Sequence, residues 1–129
     1  MYVLMLGKTL DIVLACGPYT TSDSFLYRPL HDILDYVKTK NPDVAILAGP
    51  FVDAKHPKLE EASESFDAMF ESVYNAVTSV LDDVKTHIIL VASHRDAHHD
   101  FIYPTPPLAL YPPEHDKYNP RYSSCFTGP

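Results

Sequence analysis

Three short apolar runs, separated by two longer stretches with a helical period, set the framework of this chain. The runs are Asp11 to Cys16, Asp43 to Ala48 and His87 to Ala92. Each is nearly uninterrupted and partly β-branched, the pattern of parallel strands covered on both faces. Between the first two runs, Leu26, Leu30, Ile33, Leu34 and Val37 fall on one helical stripe. Pro29 is tolerated in the first turn of that helix, and Asn41-Pro42 stops it. Between the second and third runs, Phe66, Met69, Phe70, Val73, Tyr74, Val77, Leu81 and Val84 share one helix face. They predict a helix from Phe66 to about Val84, with Ser65 as its N-cap.

The order β-α-β-α-β predicts an α/β fold with a three-stranded parallel sheet and right-handed crossovers. So thin a sheet leaves apolar edges that need cover, so the pattern reads as part of a larger domain. From Tyr103 the character changes. Pro104, Pro106, Pro107, Pro112, Pro113, Pro120 and Pro129 make up seven of the chain's twelve prolines. No apolar period survives among them, which predicts an irregular, extended tail.

Composition narrows the partners. At 129 residues, 46% hydrophobic and 21% charged, the chain has enough apolar content for one globular core. Its net charge of −7, with no basic patch, argues against direct nucleic-acid binding, so any contact with DNA is expected to be indirect. Cys16 and Cys125 set neither a disulfide framework nor a zinc spacing. Cys16, inside an apolar run, reads as a buried, reduced thiol. The opening Met1-Tyr2-Val3-Leu4-Met5-Leu6 lacks a basic flank and is followed by Lys8 and Asp11. Neither a secretion signal nor a membrane span is expected from it.

Candidate chemistry lies after each strand, at the edge where open α/β sheets keep their sites. The first segment is Gly17-Pro18-Tyr19-Thr20-Thr21-Ser22-Asp23-Ser24. The second is Gly49-Pro50-Phe51-Val52-Asp53-Ala54-Lys55-His56, and the third Ser93-His94-Arg95-Asp96-Ala97-His98-His99-Asp100. Asp53, His56, His94, Asp96, His98, His99 and Asp100 are of the types that hold metal pairs for phosphoester hydrolysis. Adjacent His98 and His99 do not converge on one ion from a regular element, however, and hydrogen bonding between loops is the simpler use of this set. Thr20, Thr21, Ser22 and Ser24 would suit a phosphate near a helix N-terminus. Pro18 removes an amide donor, and no Gly-x-x-x-x-Gly-Lys pattern is present. A turn in which Asp23 or Ser24 caps the following helix is the simpler reading. No Ser-His-Asp or Cys-His nucleophile pattern is identifiable. Phe51, Phe101 and Tyr103 suit either partner anchors or packing against further parts of a domain.

Taken together, three segments resemble the B-subunit family of DNA polymerase alpha. They are Ala15-Cys16-Gly17-Pro18-Tyr19-Thr20-Thr21-Ser22-Asp23, then Pro42-Asp43-Val44 leading to Gly49-Pro50-Phe51-Val52-Asp53-Ala54-Lys55-His56, then Arg95-Asp96-Ala97-His98-His99 followed by Tyr103-Pro104. The resemblance spans roughly Leu10 to Pro107. It implies part of a calcineurin-like phosphoesterase domain that has lost its activity. Active relatives carry Asp-x-His, Gly-Asp-x-x-Asp and Gly-Asn-His-Asp/Glu after the three strands. Here Ala15 and Gly17 stand in the first pair's place, Pro50 replaces the bridging aspartate, and Asp53 keeps the outer position. Ser93-His94-Arg95-Asp96 sits where the third motif would start. Proline cannot ligate a metal, so the resemblance implies no two-metal clamp, no cofactor and no catalytic residue.

What remains is a set of degenerate-site loop residues: Gly17, Pro18, Tyr19, Asp23, Gly49, Pro50, Asp53, His56, Arg95, Asp96, His98 and His99. The family is implied to act as a nuclear scaffold in replication initiation. It binds the carboxyl-terminal region of the catalytic subunit of DNA polymerase alpha, holds primase indirectly, and meets DNA only through its partners. Residues 1–107 are expected to form the N-terminal part of the inactive domain, with residues 108–129 an unassigned tail and the chain a fragment of a longer protein. Two alternatives stand beside this: an active phosphoesterase using Asp53, Asp96, His94 and His98, and a free-standing interaction domain.

Overall fold

The computed structural model describes residues 8–97 and the backbone of residues 122–125. Strand β1 (Ile12–Cys16) leads to helix α1 (Arg28–Lys40), β2 (Val44–Ala48), helix α2 (Phe66–Val80) and β3 (His87–Val91). A fourth strand, β4 (Tyr122–Cys125), lies in the tail. The strands form one sheet in the order β1-β2-β3-β4, all parallel. The α/β expectation therefore holds for the first five elements. The tail expectation needs correcting, because four of its residues extend the sheet. Tyr122-Ser123-Ser124-Cys125 carries no apolar run or alternation, so only the ladder to β3, Ile88 opposite Tyr122 through Val91 opposite Cys125, marks it as a strand.

Helix ends follow local chemistry. Ser65 takes an extended backbone, and its hydroxyl accepts from the Ala68 amide at 3.3 Å, as an N-cap should. Helix α2 stops at Val80, earlier than its apolar period; Leu81 and Val84 stay buried in the turn that follows. Helix α1 ends where Asn41 turns left-handed, φ 48°, and returns its amide to the Val37 carbonyl at 2.8 Å. Lys38 and Lys40 place positive charge at that carboxyl end, where the helix dipole favours it. The start of α1 departs from expectation. Neither Asp23 nor Ser24 caps it. The residue before the helix is Tyr27, left-handed at φ 52°, with no side-chain cap. Pro29 in the first turn reduces the number of amides that need one. Leu26, expected on the buried stripe, precedes the helix and is 62% exposed.

Burial alternates along the strands, contrary to the two-faced cover expected. Ala45, Leu47, Ile88 and Leu90 are buried, with Val13 and Ala15 packed beside them. Leu30, Leu34 and Val37 of α1 and Phe70, Val73 and Val77 of α2 join the same cluster. Both helices thus cover one face of the sheet. The other face is open at β1, where Ile12 is 53% and Leu14 66% exposed, and half-buried along β2 and β3. Cys16 shares the parity of Ile12 and Leu14 and is exposed, not the buried thiol expected. Continuous apolar runs carry no parity signal, so the sequence does not say which face lies under the helices. Among the described residues no helix is long and apolar enough to cross a membrane.

This one-sided core makes a direct test. Leu34→Ala, at a fully buried site, is expected to cost about 2–5 kcal/mol in urea unfolding of the chain. Leu14→Ala on the open face should stay within about 0.5 kcal/mol.

Candidate functional site

The ends of β1, β2 and β3 meet at the carboxyl edge of the sheet. The residue after each of the first two strands bonds across to the neighbouring strand's last residue: Gly17 donates to Ala48 and Gly49 to Val91, both at 2.8 Å. Both loops then open with the same step, a cis Gly-Pro peptide, Gly17-Pro18 and Gly49-Pro50. The glycines are there for space. A Cβ on Gly17 would run into the Pro50 carbonyl oxygen, and one on Gly49 into Oδ2 of Asp96.

Asp96 holds the second and third loops together. It is 2% exposed. Its Oδ1 accepts from the amides of Phe51 at 2.6 Å and Val52 at 3.0 Å. Its Oδ2 accepts from the Ser93 amide at 2.9 Å. Backbone pairing runs beside it, with Ala97 donating to Val52 at 2.9 Å and Ala54 to Arg95 at 2.7 Å. Asp53 and Asp96 face each other across this antiparallel bridge. The Asp53 carboxylate is engaged by Arg95, Nη2 to Oδ2 at 2.6 Å and Nε to Oδ1 at 3.3 Å, and by the Lys55 amide at 3.0 Å. Arg95 itself is half-exposed.

His56 ties the second loop to the first. The Lys58 amide donates to its Nδ1 at 3.1 Å, so the ring proton sits on Nε2, 2.9 Å from the Thr21 carbonyl. Phe25 stacks on the ring at 3.9 Å between centroids. Two tyrosines complete the joint. The Tyr19 hydroxyl donates to the Ala48 carbonyl at 2.7 Å, with the Ala15 carbonyl 3.1 Å away. Tyr27 donates to the Phe51 carbonyl at 2.8 Å. Phe51 is buried, stacked on Tyr19 and edge-on to Phe70, so it is a core residue and no exposed anchor.

The electrostatics follow from this packing. Burial, reinforced by the charges at Cys16 and Asp96, pushes the Tyr19 phenol well above its usual range. Burial and the Asp96 charge do the same for Tyr27. Asp23, in the exposed turn of the first loop, is held below the usual carboxylate range chiefly by the Thr21 hydroxyl. Its own amide follows, then the charges of Lys58 and Arg28.

Of the residues singled out from sequence, Gly17, Pro18, Tyr19, Asp23, Gly49, Pro50, Asp53, His56, Arg95 and Asp96 all lie in the loops of this joint. His98, His99 and Asp100, with Phe101 and Tyr103, lie outside the described residues. His94 is exposed. Among the described residues no three His, Cys, Asp or Glu side chains are grouped to hold an ion. Asp96 faces amide hydrogens instead, and a cation there would compete with three N–H donors. Sequence reasoning misses Phe25, Tyr27 and Lys58. The first two are legible only as aromatics beside a turn, and Lys58 serves through its backbone amide.

Two outcomes are expected. Asp96→Ala leaves three amides without this acceptor and should destabilise the chain by about 3 kcal/mol or more in urea unfolding. Arg95→Ala loses a half-exposed ion pair while Asp53 keeps its amide, and should cost about 1 kcal/mol. The tyrosines give a pH dependence. Their phenols resist ionisation in the folded state. Stability is therefore full below about pH 10, the unfolded phenol value, and falls as pH rises above it. Unfolding followed from about pH 8.5 to 11 should show a smaller loss in Tyr19→Phe than in the parent chain.

Likeness to known proteins bears on this joint directly. The family of DNA polymerase alpha/epsilon B subunits matches residues 12–129, including the tail that the resemblance in the sequence did not reach. The DNA polymerase alpha B subunit of Drosophila melanogaster is 40% identical over 109 residues, 83% of this chain. That of Mus musculus is 43% identical over 101 residues, 77% of the chain. That of Rattus norvegicus is 39% identical over 116 residues, 88% of the chain. The aligned region spans 17% of the Drosophila and mouse proteins and 19% of the rat protein. With its strands, its loop joint and its tail all inside the matched region, the chain belongs to the family of DNA polymerase alpha/epsilon B subunits.

Proposed function

We propose that this chain supplies the amino-terminal part of an inactive, calcineurin-like phosphoesterase domain in a B subunit of DNA polymerase alpha, with residues 1–107 as that part. The whole protein works as a scaffold. It binds the carboxyl-terminal region of the catalytic subunit, retains primase through that partner, and supports initiation of replication in the nucleus. DNA is met only through the partners, in keeping with a net charge of −7.

One observation carries the non-catalytic reading. The carboxylates and imidazole at the strand ends are engaged by the chain itself: Asp96 by amides, Asp53 by Arg95, His56 by Lys58 and Thr21. A hydrolytic centre needs such groups turned toward a metal or an attacking water. Here they serve as joinery, and Pro50 has no side-chain donor to offer. The loop edge accordingly presents backbone and side chains tied together by these hydrogen bonds, in keeping with a scaffold.

Co-expression with the carboxyl-terminal region of the catalytic subunit, followed by size-exclusion chromatography, tests the scaffold role. Co-elution of the chain is expected, with a longer B subunit as the positive control. Binding by the longer protein alone would place the contact surface outside these residues, and failure of both would remove the assignment. In parallel, incubation with manganese and a generic phosphodiester should give no turnover. Hydrolysis that disappears in Asp53→Ala would overturn the inactive reading.

A further inference from the structure

We draw no further inference here: the strongest candidate, the open apolar face of the sheet that carries Ile12 and Leu14, carries nothing, because nothing in the structure shows what covers it.

Discussion

A single buried carboxylate organises the carboxyl edge of this sheet. Asp96 lies in the loop that leaves β3, reaches back beneath the loop that follows β2, and accepts amide hydrogens from both. A desolvated carboxylate is tolerable only where its oxygens are met by donors, and three amides meet them here. Remove that side chain and the two loops lose their common acceptor. Keep it, and Asp53, Arg95, Gly49 and Phe51 all have defined positions around it. The first loop then joins through His56 and Tyr27, whose hydrogen bonds run to Thr21 and Phe51. The edge is thus built outward from one side chain.

The rest of the molecule is asymmetric in a way that fits this. The helices close one face of the sheet over Leu47, Ile88 and Leu90, and the hydrophobic stabilisation is concentrated there. The opposite face has apolar side chains but leaves Ile12 and Leu14 exposed. The loop joint sits at the border between the two, with Tyr19 and Phe51 belonging both to the core and to the edge. Aromatic stacking there connects the cluster under the helices to the polar network above the strands.

Strand and helix positions are legible because apolar period and Pro/Asn stops agree with each other along this chain. Ser65 as a cap and Asn41-Pro42 as a stop are readable for the same reason. Three things are not. The orientation of the strands is hidden because runs such as Ile12-Val13-Leu14-Ala15-Cys16 have no polar alternate, and Cys16 therefore reads as buried when it is exposed. The strand at Tyr122 is hidden because its serines carry no hydrophobic signal and its pairing is entirely non-local. The left-handed Tyr27 is hidden because nothing in an aromatic side chain announces positive φ; tertiary hydrogen bonding to Phe51 overrides the local preference. At the loops, the right residues stand in the right segments. Whether carboxylates point at an ion or at amides depends on backbone geometry that spacing does not encode.

The hydrogen bonds to Asp96 bear, finally, on how this edge can vary. Phe51, Val52 and Ser93 are gripped through their main-chain nitrogens, whose hydrogens are present in every amino acid except proline. The grip is therefore indifferent to which side chains those three positions bear, so long as packing allows them. The aspartate enjoys no such freedom, since a shorter side chain does not reach the amides and an asparagine turns an NH2 donor toward one or more of them. At Phe51 and Val52 the packing is tight as well, since both side chains are buried, so the clasp itself leaves open only what the core then restricts.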